Sequence, residues 1–568
     1  MTYDYVIVGG GSAGAVLANR LSAGSAAVAL FEAGPDTPPG AVPEVIADSY
    51  PGLAYFDPRF HWPDLRVFTR SPRWNDGRAR LSKLEQARVM GGGSSINGQF
   101  AVRGLPADYD AWEAMGLKGW GWAGMLPYFR RLERDQDFTG ELHGSEGPIP
   151  IRRLFPEEWA PFSRAVLAAA CAQGHGYGED YNGSTADAAY PLPLANEHDR
   201  RVSTATGYLD AAVRARPNLA IFAQAEVAGL VLEEGRVKGV EVMLAGERRT
   251  VAAGEVILCA GALRSPAMLL RAGIGPAGHL RQHGIRVVAD LPGVGENLTD
   301  HPHLAFGVHL KPGARIEPRQ RRHIYLGVRY SSGLAGCPGG DMLLMPVNRA
   351  GWHRLGLSMG ALNVCVNKSY SQGTVRLASA DPRVEPVVDL NLEADPRDLA
   401  RLVDGFKRMQ RLIESPEVRP CINTWFLAGY TDEVRALSVR RTSTWLKTAA
   451  AACLLDLSPL TRELVTRIKF PSAERARQIG ADDEAIAEWV KDSVWSGWHV
   501  SGTCKMGTDD DPLAVLDGRT RVRGISGLRV VDASIMPGIV SANTNLTTIA
   551  LAEKAADLIL ADRRERQG

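Results

Sequence analysis

Three short segments carry residues whose types and spacing could do chemistry. Gly497-Trp-His-Val-Ser-Gly-Thr503 sets His499 between a tryptophan and a turn of small residues. An unperturbed imidazole titrates at about 6.5, so His499 can take up a proton near neutral pH and act as a general base. The plainer alternative for such a residue is a hydrogen-bonded structural histidine. Trp498 on one side and Ser501-Gly-Thr503 on the other give His499 a tight, apolar pocket edge, and both roles stay open from these residues alone. Ser541-Ala-Asn-Thr-Asn-Leu-Thr-Thr548 offers two amides, Asn543 and Asn545. An amide both donates and accepts, although Asn is also a good helix cap. The third segment is Gly9-x-Gly11-x-x-Gly14, directly after the apolar run Tyr5–Val8.

Those glycines fit a strand that turns tightly into a helix. Gly9 permits the turn, Gly11 lets a pyrophosphate approach the backbone, and Gly14 lets helix and strand pack closely. The helix then begins at Ser12 and Ala13, presenting free N–H groups and a positive dipole end to phosphate. Glu32 closes the next apolar run, Val28–Phe31, and Ala33 follows it. A carboxylate at that place grips an adenosine ribose. Strand, helix and acid together predict a dinucleotide site, with FAD and NAD both open from this stretch alone.

Composition removes several classes of partner. The 568 residues carry 65 Lys and Arg against 64 Asp and Glu, a net charge of +1, so no nucleic-acid footprint is expected. The seven cysteines are scattered and show no CxxC spacing, as in reduced thiols packed in a cytoplasmic protein. The longest apolar candidate, Ala449–Leu455, is far too short to span a membrane. The first strand is expected from Tyr3, so no signal peptide is expected. His301-Pro-His303 could be a metal pair, but no third ligand follows at suitable spacing, so no metal is expected.

Patterning along the chain predicts an α/β (α+β) protein. Residues 3–32 read as a βαβ start and 33–90 as loop-rich, followed by a second glycine-rich loop, Met90–Asn97. Residues 108–134 read as helical. Leu219–Ala223, Val227–Glu233, Val237–Leu244 and Arg249–Cys259 alternate like strands joined by Glu-Glu-Gly-Arg and Ala-Gly-Glu turns. Residues 304–390 look strand-rich; 396–415, 475–490 and 550–560 look helical; 430–475 reads as a helical insertion that could form an entrance lid. This predicts a discontinuous Rossmann-like FAD- or NAD-binding domain from 1–155, 200–305 and 491–568. A substrate-binding domain, an antiparallel sheet with helices, takes 156–199 and 306–490.

At these residues the chain resembles the glucose–methanol–choline (GMC) flavoprotein oxidoreductases. Ala87-Arg-Val-Met-Gly-Gly-Gly-Ser-Ser-Ile-Asn97 with Gly104 is similar to the family's first signature. Gly261-Ala-Leu-Arg-Ser-Pro-Ala-Met-Leu-Leu-Arg-Ala-Gly-Ile-Gly275 is similar to the second, departing at Ala272 where Ser is usual. Gly293–Pro302 and Leu528–Pro537 match as well, so the resemblance spans nearly the whole chain in order. Arg103-Gly-Leu-Pro106, His143–Ile151 and Ala205–Ala211 are most similar to the branch that oxidises hydroxymethylfurfural and related primary alcohols with O2.

The resemblance implies FAD as cofactor and a small-molecule alcohol as substrate, with O2 or another acceptor reoxidising the flavin. It places Met90, Gly92, Gly93, Ser95, Asn97 and Gly98 along the flavin, with Ala260 and Gly261 beside it. Val227 falls near the adenine, and Asp532 and Ala533 near the ribityl or pyrophosphate. Covalent members carry a His where this chain has Ile96, which implies non-covalent binding. Asn545 matches the second catalytic position, orienting the substrate oxygen toward His499. Asn543 and Thr544 are then flavin-contact or capping residues. Trp498 faces both flavin and substrate, and Cys365 stands in a substrate strand where the furan-oxidising branch has Trp. The same family holds choline-type dehydrogenases, pyridoxine oxidases, hydroxynitrile lyases and fatty-acid photodecarboxylases as rival activities.

Overall fold

The computed structural model describes residues 2–462 and 473–567. Its first sheet grows from the chain's opening run. Tyr5–Val8 lies parallel to Val28–Phe31 on one side and to Glu255–Leu258 on the other. All these strands are buried on both faces, which is why they read as unbroken apolar runs rather than as alternations. Leu219–Phe222 extends the sheet past Val28–Phe31, and Leu528–Val530 lies parallel to Val256–Leu258. The strands Glu226–Glu233, Arg236–Leu244 and Glu247–Leu258 form the antiparallel meander. Its last strand is long enough to serve both parts of the sheet. The helix Ser12–Leu21 packs against the closing helix Thr544–Gln567, so the two ends of the chain meet at the first turn.

In a second sheet of eight strands Pro302–Leu310 is next to the edge, flanked by Met359–Val366 and the edge strand Ile422–Ala428; Met342–Val347, Leu326–Tyr330, Ala188–Pro191 and Gly176–Tyr177 continue it on the other side. Trp495–Ser496 pairs with Pro302 and His303 at its edge. The two-residue period sorts its faces. Leu304, Phe306, Val308, Leu362 and Val364 pack on the helix Pro396–Ile413, where the Phe306 and Phe406 rings meet edge to face at 4.8 Å. The opposite face carries His303, Asn363, Cys365, Met345 and Val347, and turns toward the first sheet.

Some elements differ from their sequence patterns. Residues 108–134 form two helices, Pro106–Ala114 and Trp122–Leu132, because Gly116 and Gly119 take positive φ between them. The loop-rich stretch hides two strands, Arg66–Arg70 and Arg80–Lys83, the first of which pairs with the distant Val387–Asp389. Near the C-terminus, Asp482 caps a new helix, Asp483–Ser493, through Glu484 and Ala485, which breaks the expected 475–490 helix. In the 430–475 insertion Asp432–Ser438 and Thr442–Leu457 are helical, and residues 463–472 lie outside the described residues. Among the described residues no helix is long and apolar enough to cross a membrane.

A buried ion cluster fixes the strand after Trp122–Leu132. His143 donates through Nε2 to Asp180 at 2.8 Å and faces Asp135 through Nδ1 at 3.1 Å. Arg153 takes both oxygens of Asp135, and Arg103 pairs with Glu133. Glu133, Asp135 and His143 lie close enough together to hold a metal ion, but the two arginines already supply cations there. Burial opposes a charge on His143. Hydrogen bonds to Asp135, Asp180 and Glu133 overcome it and push its pKa up to about 10. The folded pKa lies above the unfolded one, so the stabilisation is complete below about pH 6.5 and fades as pH rises toward 10. Replacing His143 by Gln leaves its buried carboxylates short of a cation and should cost about 3–5 kcal/mol at pH 7. The gap in melting temperature to the unsubstituted protein should close between pH 7 and 10; a pH-independent gap would contradict a protonated His143.

Candidate active site

A cavity of 540 Å³ is lined by both sheets. At its first-sheet end stand Gly9, Gly11, Ser12 and Ala13, with Glu32 and Ala33 beyond them. Gly11 caps the first helix with no side-chain hydrogen bond, so the helix N–H groups face the cavity. Gly92, Gly93, Asn97 and Gly98 form the facing wall, and Val227, Ala260, Gly261, Asp532, Ala533, Asn543 and Thr544 complete it. Asp532 accepts from the Gly261 N–H at 2.9 Å, the Ser265 hydroxyl at 2.6 Å and the Ser534 N–H at 2.8 Å. Glu32 accepts from the Gly10 and Gly34 N–H groups, each at 2.8 Å.

This wall fits a dinucleotide flavin. A Cβ on Gly92 would come 2.7 Å from the Gly11 Cα, so two stretches of bare backbone pinch together where a pyrophosphate would pass. The helix N-terminus supplies donors, and Ile96 presents only hydrocarbon to the cavity, with no atom to attach a flavin.

Four residues expected at the cofactor site do not face the cavity, Gly14 among them in the packing role expected of it. Gly14 is packed under the turn: a Cβ there would fall 1.9 Å from the Gly9 carbonyl oxygen. Met90 is fully buried, with its sulfur filling the space beside Gly10. Ser95 turns inward and donates to the Met90 carbonyl at 2.7 Å. Cys365 is buried in register between His303 and Leu343, and the cavity reaches Asn363 instead, one step along the same face.

His499 lies on the cavity wall between two partners. Its Nδ1 meets Nδ1 of His301 at 2.9 Å, and its Nε2 meets the side-chain nitrogen of Asn543 at 2.8 Å. His301 Nε2 lies 3.1 Å from the Val540 carbonyl oxygen, which can only accept. Burial, reinforced by the neighbouring His499 and His303, holds His301 well below the usual imidazole range, so it is neutral. One proton arrangement satisfies all three contacts. His301 donates from Nε2 to Val540, His499 donates from Nδ1 to His301, and His499 Nε2 keeps a bare lone pair that accepts from Asn543. Burial, and then His303, lower the His499 pKa to about 3, so the lone pair is present across the neutral range.

The amide beside His499 is therefore Asn543, where Asn545 was expected. Asn545 lies in the first turn of the closing helix, and its oxygen accepts from the Ser12 hydroxyl at 2.7 Å. That contact places it at the first-helix end of the cavity. The two-residue spacing of the amides, at the start of a helix, aims them in different directions.

Sequence reasoning missed an aromatic group around Trp498. Tyr55 and Tyr430 meet the Trp498 ring edge to face at 5.2 Å and 5.1 Å, and Phe56 stacks on Tyr430. The Tyr55 hydroxyl and Arg435 both bind Glu85, tying the N-terminal loop to the 432–438 helix. His303, His323, Met345, Arg349 and Asn363 also face the cavity. The aromatics of residues 50–62 were a visible signal; nothing local marked Arg349 or Tyr430.

The GMC oxidoreductase family model matches residues 3–303 and 369–552. The chain belongs to the GMC oxidoreductase family. It is 40% identical to the 5-(hydroxymethyl)furfural oxidase of Methylovorus sp. (strain MP688), over 98% of each chain. It is 34% identical to the oxygen-dependent choline dehydrogenase of Vibrio vulnificus (strain YJ016), covering 98% of this chain and 94% of that one. Among solved structures, pyridoxine 4-oxidase from Mesorbium loti superposes with a TM-score of 0.81 at 26% identity, over 98% of each chain. As a GMC member the protein is an FAD-dependent oxidoreductase. Gly92 sits at φ +53, so Gly92→Ala would add strain as well as a methyl against Gly11. This variant should purify folded by circular dichroism but largely without flavin absorbance; full flavin content would contradict the proposed pyrophosphate passage.

Proposed function

We propose that the protein oxidises primary alcohols on aromatic or furan rings, with O2 reoxidising the flavin, and that His499 is the general base. The observation that carries this reading is the bare Nε2 lone pair of His499 on the cavity wall, 2.8 Å from an amide donor. Bound FAD supplies the hydride acceptor. An alcohol oxygen that replaces the direct contact between Asn543 and His499 can donate its proton to Nε2 while accepting the Asn543 N–H. The amide then holds the oxygen as negative charge gathers there, and the histidine removes the proton that would otherwise oppose that charge. Tyr55, Phe56, Tyr430 and Trp498 form an apolar surface on which a ring can lie. The likeness to a furfural oxidase over the full chain supports the same substrate class.

Asn545 and Ser12 are assigned to the cofactor, because their mutual hydrogen bond lies at the first-helix N-terminus. Anaerobic addition of furfuryl or benzyl alcohol should bleach the flavin, and air should restore it. Bleaching only by choline or sugars would overturn the substrate class. In stopped-flow at saturating alcohol, flavin-replete His499→Ala should reduce about 10²–10⁴-fold more slowly. Asn543→Ala should slow the same step, whereas Asn545→Ala should weaken FAD retention more than reduction. A near-normal reduction rate in His499→Ala would remove it as the base.

A further inference from the structure

The cavity wall contains a buried cation that makes no ion pair among the described residues. Arg349 is 2% exposed and follows the strand whose Met345 and Val347 face the cavity. Its Nε donates to the Gly351 carbonyl at 3.2 Å, and its guanidinium lies over the Tyr50 ring, 4.2 Å from the centroid. Among the described residues neither terminal nitrogen has a hydrogen-bond or ion-pair partner. Asp48 draws on the guanidinium's charge and Arg321 repels it. Asp48 is held by Arg321. Behind the wall Arg322 lies over Phe100, with both terminal nitrogens buried and unpartnered. Close by, His323 meets Tyr50 edge to face at 5.3 Å and leaves its buried Nδ1 without a partner.

Stacking on Tyr50 and holding Gly351 could be a packing role, but neither contact neutralises the guanidinium. An unpaired buried charge is strongly destabilising. It is accounted for if a ligand brings the missing anion. A guanidinium with its terminal nitrogens free matches a carboxylate, which it can bind through two parallel hydrogen bonds. Met345, Asn363 and His303 lie across the sheet between Arg349 and His499. Arg349 and His499 therefore line one cavity with this strip of sheet between them, along which an alcohol held at His499 can extend its ring toward Arg349.

We propose that Arg349 is the counter-ion for a carboxylate on the substrate's ring, so that the enzyme takes aromatic or furan primary alcohols bearing an acid group away from the reacting carbinol. This rests on the aryl-alcohol reading above. The first test uses the unsubstituted holoenzyme with benzoate and benzamide, which share a shape and differ in charge. Benzoate should perturb the bound flavin's spectrum at concentrations at least about tenfold lower than benzamide; equal or tighter binding of benzamide overturns the proposal.

The second test compares kcat/KM for 4-(hydroxymethyl)benzoate and 4-methylbenzyl alcohol. Arg349→Met should lower the acid-to-neutral ratio by about 10–100-fold, and Arg349→Lys should restore part of it. A packing role would lower both substrates alike and leave the ratio unmoved, which also overturns the proposal. If neither alcohol reduces the flavin, the aryl-alcohol reading fails by itself. The preference for benzoate and its loss in Arg349→Met then still decide the subsite. If Arg349→Met does not fold, the benzoate–benzamide comparison decides alone.

Discussion

Asp300 is a carboxylate sealed from water, and the geometry around the proposed base depends on it. One oxygen accepts the backbone N–H groups of His301 and His499, each at 2.8 Å, and the other takes the Ser496 hydroxyl. Ser496 in turn accepts the Trp498 N–H at 2.9 Å. Two segments nearly two hundred residues apart are thus clasped by one side chain. Burial raises the Asp300 pKa to about 6, against the pull of its donors Ser496, His499 and His301. The clasp holds Trp498 at φ +59, a conformation that costs a bulky residue about 1–3 kcal/mol and persists only where neighbours over-determine it. Gly497 is required beside it, since a Cβ there would lie 2.8–2.9 Å from His301, His303 and His499.

From this constraint the proton wiring follows. The backbone carbonyl of Val540, which can only accept, orients His301, and His301 orients His499. A carbonyl in a buried turn thereby decides which ring nitrogen of His499 is bare. The dry surroundings keep both rings neutral, and the amide of Asn543 waits on the bare side. The cavity's other half does a different task. There, backbone donors and glycine gaps fit a phosphate-bearing cofactor, and the closing helix connects the halves by carrying Asn545 to Ser12.

Much of this was legible in the residues. The first βαβ, the meander after Leu219 and the second glycine loop each have a local cause: unbroken apolar runs, turn glycines, or two-residue alternation. His499 was legible as a cavity residue through the motif it shares with the GMC family, since a histidine alone is more often structural. What was not legible depended on direction rather than on type. Asn543 and Asn545 differ by two residues at a helix start, and only the folded backbone shows which one turns to His499. Cys365 and Asn363 share one face of one strand, and the depth of the cavity alone separates them. Met90 and Ser95 belong to a signature loop yet turn inward. Arg349 carries no motif; it becomes visible only when Asp48, the acid that draws on it, is found held by Arg321.

The claim most open to direct test is that His499 presents an unprotonated Nε2. Holoenzyme labelled with ¹⁵N in its histidine rings, compared with His499→Asn to assign the resonances, would show which ring nitrogen bears the proton. Long-range proton–nitrogen correlations should find His499 with hydrogen on Nδ1 and none on Nε2, unchanged from pH 5.5 to 8. A proton on Nε2, or titration near the ordinary imidazole pKa, would contradict the wiring through His301 and Val540.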